Sequence, residues 1–187
     1  FEEIKKELNQ QHPDNCKNSL TESWTTQHRF LAQKLYPHLV NPGIDKKKAA
    51  FFAKLTKPGG GTKFEDFLHF IKIGVEPLNW ENQNVYSLAT LRAGDTSTAR
   101  SENKKLIRKA TKYSRLDEPE DQFNLRKRKQ LRAYKLHRAL IEAIDGKMKE
   151  SRKYLSEAMD IAPAHSPSNE LKKIIDETKF MLGQSQQ

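Results

Sequence analysis

The positions of the hydrophobic residues along the chain predict a mostly helical protein. Apolar residues recur at intervals of three and four, the spacing that places them on one face of an α-helix. The clearest such stripe consists of Trp24, His28, Leu31, Leu35 and Leu39. Helix-ending signals such as Asn41-Pro42-Gly43 divide the chain into about eight helices, so the expected fold class is all-α, a helical bundle.

The N-terminal part, about residues 1–95, is expected to be helical with an aromatic core. Asp45 can cap a helix whose inward residues are Ala49, Phe52 and Leu55. The other expected helices contain Phe1 to Leu8, the stripe after a Thr21 cap, and the aromatic segment 64–71 after the capping-box pair Thr62 and Glu65.

The segment that joins the two halves gives the most ambiguous pattern. Residues 78–84 look irregular, and Val85 to Leu91 favour a helix that Gly94 would close. The same residues include β-prone side chains, and a short apolar run does not distinguish a helix from a strand.

The C-terminal part, about residues 96–187, is expected to be a basic helical bundle. The sequence leaves open whether this part and the N-terminal part form one domain or two. The predicted helices cover about residues 100–115, 117–145, 147–161 and 168–182. No pervasive repeat is visible.

Residues 133–182 contain a pattern of small, bulky and helix-ending positions. These positions are Gly146 at a turn, then Ser151, Leu155, Ala158 and Pro163. In this spacing residues 146–163 resemble the second half of a tetratricopeptide repeat, with Ser151 where that family usually has Ala. The resemblance implies a C-terminal helical hairpin, in which small residues let two helices pack closely, and a closing helix over 168–182.

The positive charge is concentrated in one stretch of the chain. The net charge is +10, and residues 100–138 alone hold 14 basic and 5 acidic residues, a net of +9. A localised basic field of this kind points to a polyanionic partner.

Two predicted helices carry this charge on the side opposite their apolar stripe. The first row is Lys104, Lys105, Arg108, Lys112 and Arg115, and the second is Arg128, Arg132, Lys135 and Arg138. Like charges four residues apart cost a helix a few tenths of a kcal/mol per pair, which favours a function over a merely solvated face. We therefore expect a non-enzymatic module that binds phosphates, with RNA slightly ahead of DNA.

Two alternatives use the same helices. One is a protein-interaction adaptor for an acidic partner, which predicts an exposed apolar concavity. The other is peripheral docking on anionic, phosphoinositide-type membrane, with Trp80 as an apolar anchor, although a buried Trp that holds a loop is favoured. Lys57 and Lys63, around a glycine run, could hold a phosphate, but a flexible linker is favoured.

Other chemistry has little support in the sequence. The histidines lack metal-ligand spacing, and no nucleophile elbow or dinucleotide fingerprint occurs, so neither a metal, a cofactor nor catalysis is expected. Cys16 is the only cysteine, which favours a reducing, intracellular and cytoplasmic location. The first residue is Phe1, from which we expect a longer parent chain.

Overall fold

The computed structural model of the protein describes residues 32–57, 76–112 and 120–184, and within these ranges it contains seven helices and no strand. They are α1 (residues 32–39), α2 (Lys46–Thr56), α3 (Glu76–Ala93), α4 (Thr96–Lys112), α5 (Glu120–Ile144), α6 (Met148–Asp160) and α7 (Asn169–Gln184). The all-α fold class is confirmed, whereas the count of eight is not. The helices expected over residues 1–8 and 64–71, with the Thr62–Glu65 pair, lie outside the described residues.

Helix α5 is the centre of the arrangement. It packs against α3, α4, α6 and α7, while α2 packs on α3 and α3 on α4. A continuous apolar core runs from Leu35 in α1 through Leu140 in α5 to Leu182 in α7. The described residues on both sides of position 95 therefore share one core.

Helix α2 begins as its sequence predicts. The carboxylate of Asp45 accepts a hydrogen bond from the Lys48 amide at 3.0 Å, which satisfies a free donor of the first turn. Phe52 is buried, but the expected inward position of Leu55 is wrong, because that side chain is 39% exposed. Thr56 takes the inward place, and its hydroxyl donates to the Phe52 carbonyl at 2.8 Å.

The expectation of an irregular segment over 78–84, which includes Trp80, is wrong, because α3 already begins at Glu76. The polar residues that suggested a loop instead join helices. The Asn82 amide donates to the Thr56 carbonyl at 3.1 Å, and the Gln83 amide donates to the Glu102 carboxylate at 2.8 Å. Helix α4 likewise begins at Thr96, earlier than expected, because Asp95 caps it.

Two of the turns between helices have the same hydrogen-bonded geometry. Gly94 between α3 and α4 has φ +98°, and Gly146 between α5 and α6 has φ +75°, values that glycine adopts without steric cost. After each glycine, the next amide donates to the carbonyl five residues back, at 2.9 Å and 2.8 Å. This is the Schellman arrangement, so both predicted helix ends at these glycines are confirmed.

The two hairpins that these turns create also share a buried hydrogen bond between a serine side chain and the backbone of the facing helix. Ser87 of α3 donates from its hydroxyl to the Ala99 carbonyl of α4 at 2.8 Å. Ser151 of α6 donates to the Ala139 carbonyl of α5 at the same distance. In each hairpin a serine meets an alanine twelve residues away, but the two residue types exchange places. Because of this exchange, aligning the two hairpin sequences does not reveal the repeated Ser–Ala contact.

Arg92 joins three helices through a buried guanidinium group. Its Nε atom donates to the Leu39 carbonyl at 2.8 Å, which satisfies the C-terminal end of α1. Its two terminal nitrogens bind both carboxylate oxygens of Glu177 in α7 at 2.6 Å. The side chains of Arg92 and Glu177 are only 5% and 12% exposed, so neither charge has much access to water.

We expect Arg92→Met to lower the free energy of unfolding by about 3–5 kcal/mol, because it leaves the buried Glu177 charge unpaired. Urea denaturation measures this loss. The double variant with Glu177→Leu should be more stable than Arg92→Met alone, since it removes the orphaned charge. A double variant that is less stable than the single one would contradict this role for the pair.

A second polar connection crosses the core at His137 in α5. Its ring nitrogens lie 2.8 Å from the Tyr36 hydroxyl of α1 and 2.8 Å from the Asn84 side-chain oxygen of α3. That amide oxygen can only accept, so Nδ1 carries the proton, and Nε2 accepts from the tyrosine. Burial, with a contribution from the charge of Arg92, lowers the pKa of His137 to about 3.

This lowered pKa predicts a loss of stability in mild acid. The unfolded histidine takes up a proton near its ordinary pKa of 6.5 and the folded one does not, so protons favour unfolding as the pH falls below 6.5. Between pH 7 and pH 5 the free energy of unfolding should fall by about 2 kcal/mol. His137→Asn should be less stable at pH 7 but should show a flatter dependence. Urea denaturation at several pH values measures both dependences. If the free energy of unfolding fell equally with pH in the two proteins, His137 would be excluded as the source of the loss.

Candidate functional site

The inner face of α4 is fixed against α5 by specific contacts. Arg100 binds the Glu142 carboxylate at 2.9 Å, and the Asn103 amide donates to the Tyr134 carbonyl at 2.8 Å. Leu106 and Ala110 are fully buried and pack against Tyr134. Higher numbers in α4 meet lower numbers in α5, so the two helices are antiparallel.

The opposite face of α4 presents cations to solvent. Lys104, Arg108 and Lys112 are exposed and follow one another at intervals of four residues, about 6 Å along the axis. No acidic side chain within the described ranges pairs with any of the three, which we call the α4 cationic row. Lys105 beside them is exposed but binds Glu102 at 2.5 Å. Arg115 lies outside the described residues.

The second predicted row, on α5, lies in a different environment. The expectation that Arg132 faces outward is wrong, because it is 6% exposed. Its guanidinium donates to the carbonyls of Ala162, at 3.3 Å, and of His165 and Ser166. These carbonyls belong to the connection between α6 and α7, which folds over α5. Arg132 therefore holds a loop in place.

Lys135 and Arg138 are also bound within the protein. Lys135 pairs with Glu157 of α6 at 2.7 Å. Arg138 binds Glu142 at 2.5 Å, and its guanidinium carbon lies 5.1 Å from the centre of the Tyr154 ring, a cation–π distance. Of the second row, only Arg128 is exposed at the described surface. The structure therefore does not combine the two rows into one continuous basic surface.

Glu142 is the acceptor that holds two of these cations. Burial acts to raise its pKa, but hydrogen bonds from Arg100 and Arg138 outweigh this effect, and the pKa is lowered overall. Arg100 also binds Asp145, and this bond is the main reason that the pKa of Asp145 falls to about 2. Both acids stay ionised near neutral pH, so these two arginines are neutralised by structural partners.

The weaker candidates are not part of the α4 cationic row. Lys57 is exposed at the C-terminal end of α2, whose last residue is Thr56. Lys63 and the side chain of Trp80 lie outside what the structure describes. Among the described side chains, no group of three or more His, Cys, Asp or Glu residues is placed to hold a metal ion. None of the described helices is long and apolar enough to cross a membrane.

A cavity of about 350 Å³ opens beside α5, where α1, α3 and the start of α7 meet that helix. It is the kind of concavity that the adaptor hypothesis expects, although its volume is modest. The sequence alone does not reveal its residues, because they come from four separate segments. They are Ala32, Gln33, Tyr36, Asn84, Val85, Arg126, Lys129, Gln130, Ala133, Tyr134, Ser168 and Leu171.

Comparison with family models, with curated proteins and with solved structures finds no match for the chain. The resemblance of residues 133–182 to a tetratricopeptide repeat therefore stays a prediction.

The division between bound and exposed cations predicts unequal effects of truncation. Arg132→Ala should lower the free energy of unfolding by about 2–3 kcal/mol, because three carbonyls lose charged hydrogen-bond donors. Arg128→Ala, one turn earlier on the same helix, should change it by less than about 0.5 kcal/mol. Chemical denaturation of both variants tests this difference. Equal losses would mean that the exposure of these two arginines has been assigned wrongly.

Proposed function

We propose that this protein is a non-enzymatic binding module whose α4 cationic row engages the phosphates of a nucleic acid, with RNA slightly ahead of DNA. The observation that carries this proposal is the row itself. Lys104, Arg108 and Lys112 are exposed, follow one face and have no acidic partner within the described residues. Each contact with a phosphate would release a condensed counterion, which is the main source of affinity in such interfaces.

The composition of α4 supports a ligand over simple solvation. Its one acidic residue, Glu102, is 9% exposed and is occupied by Gln83 and Lys105. The repulsion along the row is therefore relieved little within the helix, and a polyanion would relieve it. The contacts at Asn103, Leu106 and Ala110 hold the opposite face, so the row would meet its partner without reordering the helix.

The side chains beside the row indicate which part of the nucleic acid it contacts. Its exposed neighbours within residues 101–112 are Ser101, Lys105, Lys109 and Thr111, and no Asn, Gln or aromatic residue lies among them. Those residue types read base edges or stack on bases, so the expected contacts are to the backbone. Binding is therefore expected to depend weakly on base sequence and strongly on salt.

The experiment is a salt titration of binding to labelled single-stranded RNA, with duplex DNA and anionic liposomes measured in parallel. For three phosphate contacts the logarithm of the affinity for single-stranded RNA should fall with the logarithm of salt with a slope of about −2. The triple variant Lys104→Glu, Arg108→Glu and Lys112→Glu should weaken RNA binding at least about ten-fold.

A matched control reverses three exposed lysines on another helix. Lys172, Lys173 and Lys179 of α7 are exposed, and their reversal changes the net charge by the same amount. RNA binding should change by less than about two-fold, since local contacts and not net charge carry the affinity. Equal losses in both triple variants would refute a role for the row.

Affinity weaker than about 10⁻⁴ M for every nucleic acid would refute the proposal and favour the adaptor, whereas preferred retention by liposomes would favour membrane docking.

A further inference from the structure

The cavity beside α5 changes from apolar to polar between its floor and its mouth. The buried residues Ala32, Val85, Tyr134 and Leu171 give it an apolar inner wall. The exposed residues of its lining are Gln33, Lys129 and Ser168. Its volume of about 350 Å³ lies at the small end of the range for small-molecule sites, roughly 300–1,000 Å³. A compact molecule with an apolar body and one polar end matches this gradient.

The charges around the cavity favour an anion. Among the described residues, its lining contains Arg126 and Lys129 and no acidic side chain. Lys129 is exposed and has no acidic partner within the described ranges, so its ammonium group can pair with a ligand. The charge of Glu170, together with the larger effect of burial, raises the pKa of Tyr36 in the wall. Glu170 therefore opposes the binding of an anion but does not line the cavity.

The polar part of the wall is held in place from behind. The Tyr36 hydroxyl and the Asn84 amide oxygen both bond to the buried ring of His137, at 2.8 Å each. These bonds fix α1 and α3 against α5 on two sides of the cavity. A site that is formed before its ligand arrives does not lose affinity to the ordering of its own side chains.

We propose that this cavity binds a small organic anion, a carboxylate or phosphate monoester, whose apolar body lies against Val85 and Leu171 and whose charge pairs with Lys129. The site contains no residue of the α4 cationic row, so it goes beyond nucleic-acid binding and does not rest on it.

Three molecules with one naphthalene ring test the proposal by isothermal titration calorimetry on the whole chain at pH 7. They are 1-naphthoate, 1-naphthyl phosphate and the uncharged 1-naphthol. The two anions should bind with a Kd below about 1 mM, and 1-naphthol should bind at least about ten-fold more weakly, the worth of one good charged contact. Binding of 1-naphthol as tight as that of the anions would overturn the assignment of charge, and binding of none would overturn the site.

Adjacent exposed cations of α5 provide a matched pair of variants. Lys129→Glu should weaken both anions at least about ten-fold and leave 1-naphthol unchanged, because the lost contact is ionic. Arg128→Glu makes the same change in charge one residue away, outside the cavity, and should alter the affinity less than about two-fold. Glu170→Gln should tighten anion binding. Equal effects of the Lys129 and Arg128 variants would overturn the role of Lys129.

Methyl NMR spectra then locate the bound anion. Naphthyl phosphate should shift the signals of Val85 and Leu171 and leave those of Leu182, eleven residues beyond Leu171 in α7 and outside the cavity lining, unchanged. The triple reversal of the α4 cationic row should keep this response. Loss of RNA binding in that variant with retained anion binding would separate the two sites. A response at Val85 and Leu171 to an acidic peptide but to neither naphthyl anion would overturn the small-ligand proposal and favour a peptide partner.

Discussion

The structure depends on how one strongly basic helix is packed in the middle of a helical bundle. Helix α5 carries seven Lys and Arg residues and three acidic ones, yet α3, α4, α6 and α7 all pack against it. A buried charge without a partner costs several kcal/mol, so each cation on a packed side needs an acceptor. Arg132 donates to carbonyl groups, Arg138 pairs with Glu142, and Lys135 pairs with Glu157.

The same requirement selects which cations are available to a partner. The cations of α5 that lie under α6 and the α6–α7 connection stabilise the fold, while Arg128 before them stays exposed. Helix α4 buries its apolar face on α5 and leaves Lys104, Arg108 and Lys112 to solvent. The basic segment 100–138 thus contains two kinds of cation with different roles, which the sequence alone does not distinguish.

Polar groups in the core determine the relative placement of the helices. Arg92 joins the end of α1 to α7 through Glu177, and His137 joins α1 to α3 through α5. Such contacts are directional, whereas apolar packing alone tolerates small shifts between helices. Because His137 also supports two walls of the cavity, the contacts that define the fold give that cavity its shape.

Much of the helical pattern could be predicted from local chemistry. Asp45 caps α2 through its own carboxylate, and Gly94 and Gly146 end helices because they adopt positive φ. Apolar spacing correctly placed Leu35, Leu39 and Phe52 in the core. These features depend on a few neighbouring residues, so one sequence is enough to identify them.

Features that depend on distant partners could not be predicted in this way. Residues 78–84 look irregular in the sequence because the partners of their polar side chains are distant in the chain. Asn82 binds Thr56, and Gln83 binds Glu102. The Ser87 and Ser151 contacts are equivalent only in space.

The sequence by itself determined the all-α class, most helix ends and the concentration of positive charge between residues 100 and 138. Only the tertiary structure decided that Arg132 is buried while Lys104 and Arg108 are exposed, and that four separate segments line a cavity. The physical reason is that helical periodicity tells which residues share a face, but the neighbours packed against that face decide whether a charged side chain meets water or a protein acceptor.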